Sequence, residues 1–156
     1  GVRDVLESGA IAGYRVQDVK VIVYDGKYHP VDSKDIAFRI AGRNAFKDAI
    51  QKARPVLLEP VVKMEITVPE QYMGDITGDL NGRRGRVMGM DTLQGGMSQI
   101  HAEAPLAEVM TYARALSSHT GGQGSFTLQF SHYEIVPPNE QQKIVAAAKR
   151  VEEEEA

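Results

Sequence analysis

At 156 residues and 17.1 kDa, the chain is long enough for one domain, or two small ones, with a packed core and no covalent staples. It has no cysteine, which excludes disulfides and thiolate metal sites and fits a reducing compartment. The formal net charge of -3 speaks against a freestanding nucleic-acid binder, but the charge is uneven: residues 1–57 hold 10 Lys+Arg against 7 Asp+Glu, residues 58–156 hold 8 against 14, so a basic footprint sits in the first third.

No apolar run reaches the length of a membrane span, and the opening GVRDVLESG carries charges where a secretion signal needs an apolar stretch. The expectation is a cytoplasmic monomer. Residues 2–8 read as a helix tail, with Val2, Val5 and Leu6 apolar and Gly9 suited to the left-handed position after its end. An uncapped helix at the first residue suggests a chain cut from something longer. Residues 16–24, VQDVKVIVY, alternate as a strand does, with Val19, Val21 and Val23 on one face. One strand cannot close a sheet, so this first domain is expected to lack upstream strands.

Residues 24–54 are the expected working surface. Asp25 and Gly26 suit a hairpin-type turn, and Tyr24, Lys27, Tyr28 and His29 around it offer aromatic faces, a cation and an imidazole. That mixture can stack on bases and pair with phosphate, or simply pack across two strands. A helix is predicted from about Ser33, with Asp32 or Ser33 as its cap. Its apolar face, Phe38, Ala41, Gly42, Ala45, Phe46, Ala49 and Ala53, is small enough to lie close against a sheet. Arg39, Arg43 and Lys47 recur every four residues with no acid among them: a footprint for an anionic polymer, or a solvated helix face.

Pro55 and Pro60 mark a boundary. Beyond it Val62, Met64, Ile66 and Val68 alternate in a strand; Met73, Ile76 and Leu80 line a helix stopped by Gly85; residues 87–90 make a strand. Gly95 and Gly96 turn the chain into a second alternation, Ile100, Ala102, Ala104. Pro105 then starts a helix with an apolar stripe of Leu106, Val109, Met110, Ala113 and Leu116. A glycine loop leads to a strand with Phe126, Leu128 and Phe130 on one face, and a helix from about Asn139 ends in an acidic tail. Strand, helix, strand, strand, helix, strand over residues 61–135 is the ferredoxin-like split βαβ order, an α+β arrangement. That fold serves many functions and names none of them.

Reactive chemistry is sparse. No G-x-x-x-x-G-K-[ST] phosphate loop occurs, and residues 121–124, Gly-Gly-Gln-Gly, lack the lysine and precede a strand. His29, His101, His119 and His132 have no metal-ligand spacing. No catalytic residue, metal site or cofactor is expected within this chain. Arg83, Arg84 and Arg86 surround Gly85 at a helix end, where cations suit the helix dipole and could also grip a phosphate backbone. Tyr112 and Arg114, with the loop SSHTGGQG over residues 117–124, form a second cluster whose small residues let a partner approach.

The stretches YDGKYHPVDS, AFRIAGRNAFKDA, KARPVLLEP, YMGDITGDLNGRRG, PLAEVMTYARALSSHTGGQGSF and HYEIVP, in that order, resemble the C-terminal end of bacterial elongation factor G, the translational GTPase that moves transfer and messenger RNA through the ribosome. The resemblance implies that residues 1–57 are the latter part of a ribosomal-protein-like βαβ fourth domain, residues 58–137 a ferredoxin-like fifth domain, and residues 138–156 a C-terminal helix with its acidic tail. It implies that the tip of Lys27, Tyr28 and His29 reaches the decoding region, where tRNA and mRNA pair. Arg39, Arg43 and Lys47 would then meet ribosomal RNA backbone, and Arg83, Arg84, Arg86, Arg114 and Gln123 would lie toward the large subunit. GTP and Mg would belong to an N-terminal domain outside these residues. The family usually carries arginine where Gln123 stands and Phe-Gly where Met110 and Thr111 stand, which weakens a phosphate contact and fits a diverged paralogue as well as the main factor. Two further readings use the same fold: a freestanding ferredoxin-like module that binds a small ligand, and an acylphosphatase-type enzyme, for which VPEQYMG offers an acid where an anion-binding loop is wanted.

Overall fold

The computed structural model describes residues 1–154, and these divide into two compact units, residues 1–57 with residues 137–154, and residues 58–136.

In the second unit β1 (Leu58–Pro69), β2 (Arg86–Thr92), β3 (Met97–Pro105) and β4 (Ser125–Ile135) form one antiparallel sheet in the order β2-β3-β1-β4. Helices α3 (Met73–Gly82), α4 (Leu106–Val109) and α5 (Tyr112–Thr120) complete the split βαβ order. Alternation does the work expected of it: Val62, Met64, Ile66 and Val68 of β1 and Ile100, Ala102 and Ala104 of β3 all point into one core with Ile76 and Leu80 of α3. The turn before β3 runs through Gly95 and Gly96, both at positive φ (75° and 73°). At the end of α3 the Gly85 N–H donates to the Leu80 carbonyl at 2.8 Å, and a Cβ on Gly85 would sit 2.7 Å from that oxygen. Glycine is therefore required there by close approach.

Two expectations for this unit change. The helix after Pro105 is two helices, α4 and α5, and its buried stripe is Val109, Tyr112, Leu116 and Thr120, while Met110 is 76 % exposed. The chain bends at Met110 and Thr111, and the Glu108 carbonyl near the end of α4 accepts a hydrogen bond from Arg83 Nη1 at 2.8 Å instead of continuing a helix. The second change concerns β4. Phe126, Leu128 and Phe130 do share the face of Ile66, Met64 and Val62, but only Phe126 packs on the core, edge-on to Tyr112 with ring centroids 5.2 Å apart. β4 is an edge strand, so its outer apolar residues stay exposed.

The first unit holds α1 (Val2–Ser8), α2 (Asp35–Lys52) and α6 (Pro138–Glu154). Helix α1 ends with Gly9 at φ 85°, outside the left-handed helical region, and with the Gly9 N–H on the Val5 carbonyl. Residues 16–24 form no strand: residues 17–28 make no backbone-to-backbone hydrogen bond among the described residues. A strand is defined by its ladder, and no second strand lies among the described residues of this unit. The turn falls at residues 30–32 rather than at Asp25 and Gly26; Asp25 Oδ1 accepts the Gly26 N–H at 2.7 Å instead. Ser33 does not cap α2. Its hydroxyl accepts the His29 N–H, and Lys34 stands at the N-cap without a side-chain bond. Of the apolar face expected on α2, Phe46 is buried, while Phe38, Ala41, Ala45 and Ala49 are exposed. Helix α6 is tied to its own unit through Gln141 Oε1, which accepts the Leu57 N–H at 3.1 Å. Residues 155 and 156, the end of the expected acidic tail, lie outside the described residues.

Candidate nucleic-acid interface

The tip residues project from a segment without a ladder. Tyr24 and Tyr28 are 94 % and 73 % exposed, and Lys27 is exposed with no ion-pair or hydrogen-bond partner among the described residues. His29 is the ordered member. Its N–H is held by Ser33 Oγ, its carbonyl accepts the Ser33 N–H at 3.0 Å, and its Nδ1 lies 3.3 Å from Asp32 Oδ2. The turn at residues 30–32 thus fixes the backbone of His29 just ahead of α2 and leaves its ring in solvent. Exposed aromatic faces beside a lysine and an imidazole can stack on bases and meet phosphate.

The stripe is built differently from its sequence reading. Arg39 and Arg43 stand one turn apart on α2, and α1, anchored by the fully buried Val5, brings Asp4 between them. Arg39 donates from Nε and Nη2 to the two Asp4 oxygens at 2.7 and 2.8 Å, and Arg43 Nη2 donates to Asp4 Oδ2 at 2.9 Å. These bonds, Arg39 before Arg43, hold the Asp4 carboxyl well below the usual carboxylate range. Arg43 Nε is buried without a partner among the described residues. Lys47 is exposed and unpaired among the described residues. An acid 35 positions from Arg39 gave no signal in the sequence, because spacing reveals only neighbours on one element.

The three arginines around Gly85 are each bound internally. Arg83 Nε bonds Asp79 at 2.8 Å, and its guanidinium lies 5.5 Å from the Tyr112 ring centroid. Arg84, at φ 56°, forks onto Glu59 at 2.6 and 3.0 Å and reaches Glu108 at 3.1 Å. Arg86 bonds Glu134 at 2.7 Å and approaches Glu103 at 3.6 Å. His132 and Arg86 together lower the Glu134 pKa, His132 first. Only Arg83 pairs within α3; Arg84 and Arg86 reach acids of β1, α4, β3 and β4. Arg114 is exposed and its side chain has no partner among the described residues; Gln123 is exposed on the glycine loop.

That loop follows the C-terminal end of α5, with Gly121 in the left-handed region at φ 60°. Its amides are already used: Gly122 N–H donates to Ser117, Gln123 N–H to Thr120, and Gly124 N–H to Thr120 Oγ1, at 3.0, 3.2 and 3.0 Å. Helix carbonyls and spent amides do not hold a nucleotide phosphate, so these residues do not fit GTP. Among the described residues no His/Cys/Asp/Glu group is arranged to hold a metal ion, and no helix is long and apolar enough to cross a membrane. Tyr112 is fully buried, its hydroxyl has no partner among the described residues, and burial pushes its pKa up to about 12. On the open sheet face His101 Nε2 lies 2.8 Å from Asp91 Oδ2 and its Nδ1 3.8 Å from Glu65 Oε1.

Comparison with known proteins gives this geometry its context. Residues 1–54 match the model of elongation factor G domain IV, and residues 56–144 match that of the elongation factor G C-terminus. A curated relative, an elongation factor G-like protein of Thermotoga maritima, is 48 % identical over 155 residues, which cover 99 % of this chain and 23 % of that protein. A crystal structure from Thermus thermophilus superposes with a TM-score of 0.76 at 46 % identity, over 96 % of this chain and 22 % of the other. Two matched domains in sequence order mark the chain as part of a translation elongation factor. It belongs to the elongation factor G family and spans less than a quarter of the length of these relatives.

Proposed function

We propose that this chain is the ribosome-engaging part of a factor that promotes GTP-dependent translocation of tRNA and mRNA. It binds and positions; it carries out no bond chemistry of its own. Lys27, Tyr28 and His29 meet RNA in the decoding region, while Arg39, Arg43 and Lys47 face ribosomal RNA backbone. Arg114 and Gln123 are the members of the second group still open to a large-subunit contact, since Arg83, Arg84 and Arg86 are engaged within their own unit. GTP and Mg belong to another domain of the intact factor, which works in the cytoplasm as a monomer.

The observation that carries this reading is the exposed, unladdered tip ending in a pinned His29, in a chain whose family is that of translation elongation factors. A small-ligand module leaves that tip without a role. Cosedimentation of the chain with bacterial ribosomes over a salt series tests the reading. Binding should weaken steeply with salt, and replacing Arg39, Arg43 and Lys47 by glutamine should lower affinity and flatten the slope. Salt-independent binding, unchanged by those substitutions, would remove the stripe from the interface.

A further inference from the structure

Asp4 does more than fasten α1 to α2. We propose that its carboxylate is an internal stand-in for an RNA phosphate, a latch that occupies the Arg39 and Arg43 forks until a backbone phosphate displaces it. The proposal rests on the stripe being an RNA-backbone surface.

The geometry supports exchange. Arg39 gives Asp4 its Nε/Nη2 edge, at 2.7 and 2.8 Å, the same edge by which a guanidinium takes a phosphate bidentately. Carboxylate and phosphodiester are both anionic, acceptor-only groups, so one can replace the other without turning the arginine. The cluster is reachable: the side chains of Arg39 and Arg43 are 57 % and 42 % exposed and that of Asp4 is 29 % exposed. Helix α1 is seven residues long with one buried residue, Val5, too short to be stable by itself, so little intrinsic helix order resists its adjustment. While the latch is closed, two of the three stripe cations are neutralised in part, and within the stripe only Lys47 has no ion-pair partner among the described residues.

Fluorescence anisotropy with a labelled RNA hairpin of mixed sequence tests this on the whole chain, on Asp4→Asn, on Arg39→Gln/Arg43→Gln, and on the three changes combined. Removing the competing charge should tighten Asp4→Asn binding about fivefold at about 0.1 M salt and steepen the salt slope by about one. The combined variant should show no such gain over the arginine double variant. Equal or weaker binding by Asp4→Asn, with the arginine double variant clearly impaired, overturns the latch and leaves the stripe in place. An arginine double variant that binds like the unaltered chain overturns the stripe and the latch together. Should Asp4→Asn lose its fold by circular dichroism, the Asp4 carboxyl carbon shift of the unaltered chain reports directly. It should move on RNA addition as the arginines release the carboxylate, and a shift that stays fixed at saturation overturns the latch.

Discussion

The arginines of the two units meet different fates. In the second unit Arg83, Arg84 and Arg86 each close on carboxylates brought from other turns and strands: Asp79, Glu59 with Glu108, and Glu134. In the first unit Arg39 and Arg43 share a single carboxylate, Asp4, so the cluster keeps one net positive charge beside Lys47, which is unpaired among the described residues. In sequence, three arginines at one helix end suit the helix dipole and could also grip a phosphate backbone. Their pairing with acids, all but Asp79 distant in sequence, leaves the stripe as the more basic surface.

This contrast can be broken by substitution. The largest effect is expected where the second unit is densest: Leu80→Ala, which removes a fully buried side chain, should cost that unit about 3 kcal/mol in a urea unfolding curve. Next comes Arg84→Ala, which strands Glu59, a carboxylate only 13 % exposed. A loss of about 2 kcal/mol is expected, with RNA binding unchanged; a binding loss would return this arginine to the interface.

Tyr112→Phe sharpens the picture of the same core. It removes a buried hydroxyl without a partner among the described residues and should be neutral or stabilising by up to about 1 kcal/mol. The pH dependence follows from the raised pKa. The unfolded tyrosine ionises near 10.0, the folded one near about 12, so the unfolded chain loses its proton first. Stability is intact below pH 10 and falls as pH rises toward 12. Thermal unfolding across that range should show the fall in the unaltered chain and a flatter course in Tyr112→Phe. The smallest stability change, within about 0.5 kcal/mol, is expected for alanine at Lys27, Tyr28 and His29, whose side chains are exposed.

The legibility of the two units differs for the same reason. Periods of two and 3.6 place Val62 to Val68, Ile100 to Ala104, Ile76 and Leu80 correctly because each side chain finds its partner layer within the unit. The break between α4 and α5 is hidden, since Met110 and Thr111 are neither proline nor glycine, and the bend is held by Arg83, 25 positions before Glu108. Residues 16–24 have the pattern of a strand but no ladder, for pattern describes one chain and a ladder needs two. Of the candidate site, the tip and stripe could be named from sequence; the acids that claim Arg39, Arg43, Arg83, Arg84 and Arg86 could not, except Asp79, which stands one turn before Arg83.

The central claim is that the first unit's tip is the working surface. The most direct test is the affinity of the chain for bacterial ribosomes, set beside that of the Lys27→Ala/Tyr28→Ala/His29→Ala variant. With unfolding curves that coincide, the variant should bind about tenfold more weakly, as expected for loss of one stacking aromatic and one phosphate contact. Equal affinity of the two would contradict the account and move the search for the interface away from the tip.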